Sequence, residues 1–144
     1  MKNKKNLNFF TPSTDNNLDT ILINAGISAG FPSPAGDFKQ ERISLDQELI
    51  KNKEATFFAR VSGESMINAG LEDGDLIVID RSIEPSNNKI AVCFIEGEFT
   101  VKRLIVKKNK IWLKPENSSY KPIEIKDNDQ LIIWGIVTNV IKKL

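Results

Sequence analysis

The chain has 144 residues, 40% hydrophobic and 27% charged, with 20 basic side chains against 19 acidic ones. That length suits one domain with an arm, and the even charge gives no basic excess of the kind that accompanies direct nucleic-acid binding. There is no histidine and one cysteine, Cys93. Ser-His-Asp and Cys-His catalysis, histidine or thiolate metal sites and an intrachain disulfide are thereby excluded, and acid–base chemistry must run on lysine, carboxylates or tyrosine.

Met1-Lys2-Asn3-Lys4-Lys5 is basic, but Asn6-Leu7-Asn8 follows where a signal peptide needs an apolar segment. No apolar run has the length of a membrane span, so the expectation is a cytoplasmic protein without membrane contact. Residues 1 to about 40 are rich in Asn, Ser, Thr, Gly and Pro and hold one apolar cluster, Leu18 to Ile23. Gly26, Gly30, Pro32, Pro34 and Gly36 come too often for a long helix or a central strand. The segment reads as an arm of low intrinsic order, extended over Phe31 to Ala35.

Ser44-Leu45-Asp46-Gln47 is a capping-box pattern that predicts a short helix to about Lys51. Strands are predicted over Thr56–Val61, Leu76–Asp80, Lys89–Ile95, Glu98–Val106, Ile111–Lys114 and Leu131–Ile141, all rich in β-branched and aromatic residues. Asp73-Gly74 supplies a turn and Glu96-Gly97 a tight hairpin. Lys107 to Lys110 makes a second hairpin tip, with its lysines in solvent. Cys93 lies in the apolar run Ile90–Ile95 and reads as a small buried hydrophobe. Short strands so closely spaced predict a mainly β fold: a partly open barrel of antiparallel strands with a flexible N-terminal arm. There is no GxGxxG or P-loop, and no cofactor is expected.

Ser62-Gly63-Glu64-Ser65-Met66 lies between a strand and a short turn that Gly70 can end. Gly63 permits a sharp bend, Ser65 falls at the start of the turn, and backbone N–H groups there are open to an oxyanion. A serine in such a loop is ordinarily a turn or cap residue. In Glu98 to Val106, period-two alternation puts Thr100, Lys102, Leu104 and Val106 on one face. Burial beside Leu104 and Val106 would lower the pKa of Lys102 and give a neutral amine able to take a proton from a serine hydroxyl. The plain alternative is an edge-strand lysine reaching water, and Arg103 shows that the strand tolerates charge.

Taken together, these segments resemble a known family. Ser62-Gly63-Glu64-Ser65-Met66, Leu71-Glu72-Asp73-Gly74-Asp75-Leu76 and Gly97-Glu98-Phe99-Thr100-Val101-Lys102 are similar in order and spacing to the LexA/UmuD self-cleaving peptidases, with 37 residues from serine to lysine. Gly30-Phe31-Pro32-Ser33-Pro34-Ala35, with Glu41-Arg42-Ile43 and Leu45, resembles the UmuD branch.

The resemblance implies Ser65 as nucleophile, Lys102 as general base and backbone N–H groups of Glu64 and Ser65 as oxyanion hole. The scissile bond in the family is Ala-Gly or Cys-Gly. Of four Ala-Gly dipeptides, at Ala25, Ala29, Ala35 and Ala69, the one directly before Phe-Pro-Ser-Pro is Ala29–Gly30. Residues 1–29 would be an arm removed by self-cleavage, and residues 30–144 the peptidase and dimerisation domain. Twenty-nine residues are too few for the helix-turn-helix domain of a LexA-type repressor, so sequence-specific DNA binding is not expected. Family membership further implies a homodimer, cleavage stimulated by RecA on single-stranded DNA in the SOS response, and a trimmed form acting with a UmuC-type translesion polymerase. The Leu18 to Ile23 cluster would dock the arm on the domain, within a chain or across a dimer.

Three rival readings stand beside this one. A signal-peptidase-like enzyme also uses serine and lysine but acts from a membrane anchor. A non-catalytic accessory or antirepressor-like subunit would keep the fold for dimerisation. A bare β-barrel binding module would leave Ser65 and Lys102 incidental.

Overall fold

The computed structural model describes residues 9–13, 19–23, 29–30 and 40–144. They fall into two compact units, residues 13–51 and residues 1–12 with 52–144. The smaller unit pairs β2 (Asp19–Ile23) with β3 (Gln40–Ser44) antiparallel, Ile21 opposite Arg42. Helix α1 (Leu45–Leu49) follows, and the Ser44 hydroxyl accepts from the N–H of Gln47, as the capping pattern predicts. Part of the N-terminal region read as an arm of low intrinsic order is thus paired strand. Thr20, Ile21 and Ile23 favour extended backbone, and the Gly- and Pro-rich stretch falls between the two strands. Residues 24–28 and 31–39, and Leu18, lie outside the described residues. The boundary expected at Ala29–Gly30 falls inside this unit.

The larger unit holds, among the described residues, one open eight-stranded antiparallel sheet. It comprises β1 (Phe9–Phe10), β4 (Thr56–Arg60), β5 (Leu76–Asp80), β6 (Ile90–Ile95), β7 (Glu98–Lys107), β8 (Lys110–Lys114), β9 (Ile123–Ile125) and β10 (Leu131–Ile141). The order across the sheet is β1-β4-β5-β10-β6-β7-β8-β9. β10 pairs with β6 through Leu131 to Ile136 and with β5 through Ile136 to Ile141. A register shift at Ile133/Gly135 lets one long strand serve both partners. Six of these strands lie where β-branched alternation predicts them. β1, at the sheet edge, and β9 were not foreseen.

Turn chemistry sets the hairpins. Glu96 and Gly97 both have positive φ, 49° and 78°, as do Lys108 and Asn109 at 47° and 63°. This is the backbone twist that joins two strands through two residues. The core has two parts: one gathers Ala59, Val61, Met66, Leu71, Ile77, Ile79, Val92 and Val101, and the other Ala91, Cys93, Leu104, Leu113 and Ile136. Burying each of Ile77, Ile79, Leu104 and Leu113, all under 2% exposed, contributes roughly 1.5–3 kcal/mol. An aromatic group of Phe9, Phe99 and Trp134, with Phe57 and Phe94 at its margins, packs in tilted and edge-on contacts.

Candidate active site

The segment after β4 is tied at both ends. The N–H of Val61 donates to Asp75 O and the N–H of Gly74 donates to Val61 O, each at 2.8 Å, closing residues 61–75 into a loop. Gly63 turns the chain with φ +91°, a value that disfavours a side chain, and its N–H donates to Asp73 Oδ1 at 2.7 Å. Met66 then plugs the core at 2% exposure, which fixes Ser65 immediately before it. A 3-10 turn, Ile67–Ala69, follows and stops at Gly70 in the left-handed region. Glu116 braces this turn from the far side. Its carbonyl accepts from the N–H of Asn68 at 2.8 Å, and its own N–H donates to Met66 Sδ.

Lys102 lies on β7 opposite Ala91 of β6, on the sheet face shared with Cys93 and Leu104. It is 9% exposed, and its Nζ lies 3.1 Å from Ser65 Oγ. The structure therefore brings together the two candidate residues, 37 positions apart in the chain. Nζ also donates to Thr100 Oγ1 at 2.6 Å and to Val101 O at 3.1 Å. An ammonium has three hydrogens and finds three acceptors here. A neutral amine keeps two, so Thr100 and Val101 can hold both and leave the lone pair facing Ser65.

Desolvation drives Lys102 below the ordinary lysine pKa, opposed by the charge that Cys93 would carry as a thiolate. That opposition has no force near neutrality, because burial pushes the Cys93 thiol up to about 12. Cys93 is a buried hydrophobe, as expected, and also part of the apolar wall that desolvates the lysine. Ser65, Thr100, Phe99, Val61 and Met66 line a narrow cleft of about 60 Å³ beside the pair. Among the described residues no acceptor takes the N–H of Glu64 or of Ser65. The site thus offers a hydroxyl, a desolvated amine within hydrogen-bond distance and two open donors, the elements of acyl transfer through a serine.

Residues 21–138 match the family described as Peptidase S24-like. The chain belongs to that family. The S24-like chain is 42% identical over 114 residues to Protein MucA of Salmonella typhimurium, covering 78% of this chain and 77% of that protein. It is 39% identical over 132 residues to Protein ImpA of Salmonella typhimurium, covering 92% and 90%. To Protein SamA of Salmonella typhimurium (strain LT2) it is 43% identical over 115 residues, covering 80% and 79%. These relatives bear out the UmuD-like resemblance.

Elsewhere in the S24-like chain, Ala29 and Gly30 form an exposed bend in the smaller unit, and Ser65 belongs to the larger. Ala69–Gly70 is folded into the 3-10 turn behind the serine, with the Gly70 N–H bonded to Ile67 O. It cannot enter a cleft as an extended strand without dismantling the loop that carries Ser65. Ala25–Gly26 and Ala35–Gly36 lie outside the described residues. Among the described residues no helix is long and apolar enough to cross a membrane. Thr100 is the site residue that sequence reading left without a role. The alternation that put it on the face of Lys102 was the available signal.

Proposed function

We propose that this chain is a self-cleaving serine endopeptidase of the SOS mutagenesis system, using Ser65 and Lys102 to cut Ala29–Gly30. The observation that carries the reading is the 3.1 Å contact between the Ser65 hydroxyl and a buried lysine amine with its other hydrogens engaged. Neutral Lys102 takes the hydroxyl proton as Ser65 Oγ attacks the Ala29 carbonyl carbon. The N–H groups of Glu64 and Ser65 receive the developing oxyanion. Collapse of the tetrahedral intermediate breaks the C–N bond, and Lys102 returns the proton to the Gly30 amine. Water, deprotonated by the same amine, then attacks the Ala29 ester carbonyl; the C–Oγ bond breaks, Lys102 returns that proton to Ser65 Oγ, and residues 1–29 leave as a free carboxylate. The narrow cleft suits the small residues on both sides of this bond.

The likeness to MucA, ImpA and SamA supports the wider role. The chain dimerises, is stimulated by RecA filaments on single-stranded DNA, and in trimmed form serves a UmuC-type translesion polymerase in the cytoplasm. The test is the intact mass of purified protein after incubation at pH about 10, where more lysine is neutral. Wild type and Ser65→Ala are compared, with RecA filaments as a second arm. A fragment beginning at Gly30 in wild type alone supports the reading, and Gly30→Glu should abolish it with both catalytic residues intact. Absence of any fragment in both arms overturns it in favour of a non-catalytic subunit.

A further inference from the structure

The loop bearing Ser65 is held from outside by a residue with no place in the dyad. The side-chain amide of Asn117 donates through Nδ2 to the backbone carbonyl of Glu64 at 2.8 Å. That carbonyl belongs to the same peptide unit as the N–H of Ser65. A peptide is planar and trans, so its C=O and N–H point in opposite directions. With the oxygen held by Asn117, the Ser65 N–H points the opposite way, away from Asn117. The other donor to this oxygen, the Ile67 N–H, is longer at 3.3 Å and rides on the same loop, so it cannot fix the peptide against the rest of the fold.

Asn117 itself is anchored. Its Oδ1 accepts from the N–H of Ser119 at 3.0 Å, and the preceding residues are fixed by buried Pro115 and by the Glu116 ion pair with Arg103 at 2.5 Å. Arg103 is the neighbour of Lys102 on β7, so one strand carries the base and, through Glu116, braces the residue that orients the peptide.

We infer that Asn117 is a positioning residue for the oxyanion hole, aiming the Ser65 N–H through the Glu64 carbonyl. This rests on the self-cleavage reading above. An oxyanion donor lost outright costs about 100- to 1000-fold in rate. A donor that is misaimed rather than absent should cost less, roughly tenfold.

The test compares Asn117→Asp and Asn117→Ala with wild type. Aspartate keeps an oxygen for the Ser119 N–H and loses the donor, while alanine loses both and adds no charge. Self-cleavage rates are followed from about pH 7 to 11, alongside thermal unfolding and the Ser65 amide nitrogen resonance. The expected result is a roughly tenfold lower plateau in both variants. The pH midpoint of the alanine variant should be unchanged, and the Ser65 resonance should move upfield in both as the bond to the Glu64 carbonyl is lost.

Wild-type rates in both variants overturn the assignment while leaving self-cleavage standing. Loss in alanine alone overturns it in favour of a turn-forming role. A shifted midpoint in the alanine variant overturns it in favour of an effect through Lys102. An inert wild type removes the self-cleavage reading and this assignment together.

Discussion

Thr100→Val probes the amine more selectively than any change at Lys102 itself. Valine keeps the β-branched shape and removes only the oxygen 2.6 Å from Nζ. Two effects follow, with opposite signs near neutrality. The ammonium loses one of its three acceptors, so the pKa of Lys102 falls further and the pH midpoint of cleavage moves down. The neutral amine also loses the contact that turns its lone pair toward Ser65. A hydrogen bond between neutral groups contributes about 0.5–1.5 kcal/mol, and each ~1.4 kcal/mol is a factor of ten, so the plateau rate should fall roughly 2- to 12-fold. The assay is a pH–rate profile of self-cleavage read by intact mass. A plateau equal to wild type, or a midpoint displaced upward, would refute the orienting role.

Lys102→Met should stabilise the fold in a pH-dependent way. The folded pKa of Lys102 is depressed by burial, so below that value the native state bears the full cost of a buried ammonium, and the cost vanishes above the unfolded value of about 10.4. The variant's Tm should exceed that of wild type at pH about 7, and the gap should close near pH 11; an undiminished gap there would exclude charge burial as its origin. Gly135→Ala should destabilise, because a Cβ would lie 2.6 Å from Ile79 Cγ2 in the core, while Arg81 Cγ at 3.2 Å belongs to a long side chain that can yield. A loss of about 1–3 kcal/mol in urea unfolding is expected, and no loss would mean that the β10 register shift absorbs the methyl.

The strands from β4 to β8 and β10 were legible because each repeats an apolar pattern between turn residues, and Gly97 and the lysine-rich tip mark their hairpins. β3 was not, since Gln40-Glu41-Arg42-Ile43-Ser44 has the composition of a loop and becomes a strand only by pairing with β2. β9 is three residues beside Pro122 and gains its conformation from β8. At the site, the glycine bend and strand alternation brought Ser65 and Lys102 forward as candidates, and family likeness joined them. The roles of Glu116 and Asn117 were hidden for a different reason. They act through contacts 50 and 53 residues distant, made by backbone atoms and by one amide, and no local pattern encodes such partners.

β10 has a consequence for when this site can exist. Ser65 follows β4 on one flank of the sheet and Lys102 sits in β7 on the other, and among the described residues β10 alone joins the flanks in the hydrogen-bonded ladder. During synthesis both residues leave the ribosome well before Leu131–Ile141 does. Until that strand is inserted, hydroxyl and amine lie on two strand groups that no ladder of the described residues joins, linked only by core packing and by the contacts of Glu116 and Asn117. A nascent chain therefore carries the serine and the lysine before the sheet that sets their register is complete.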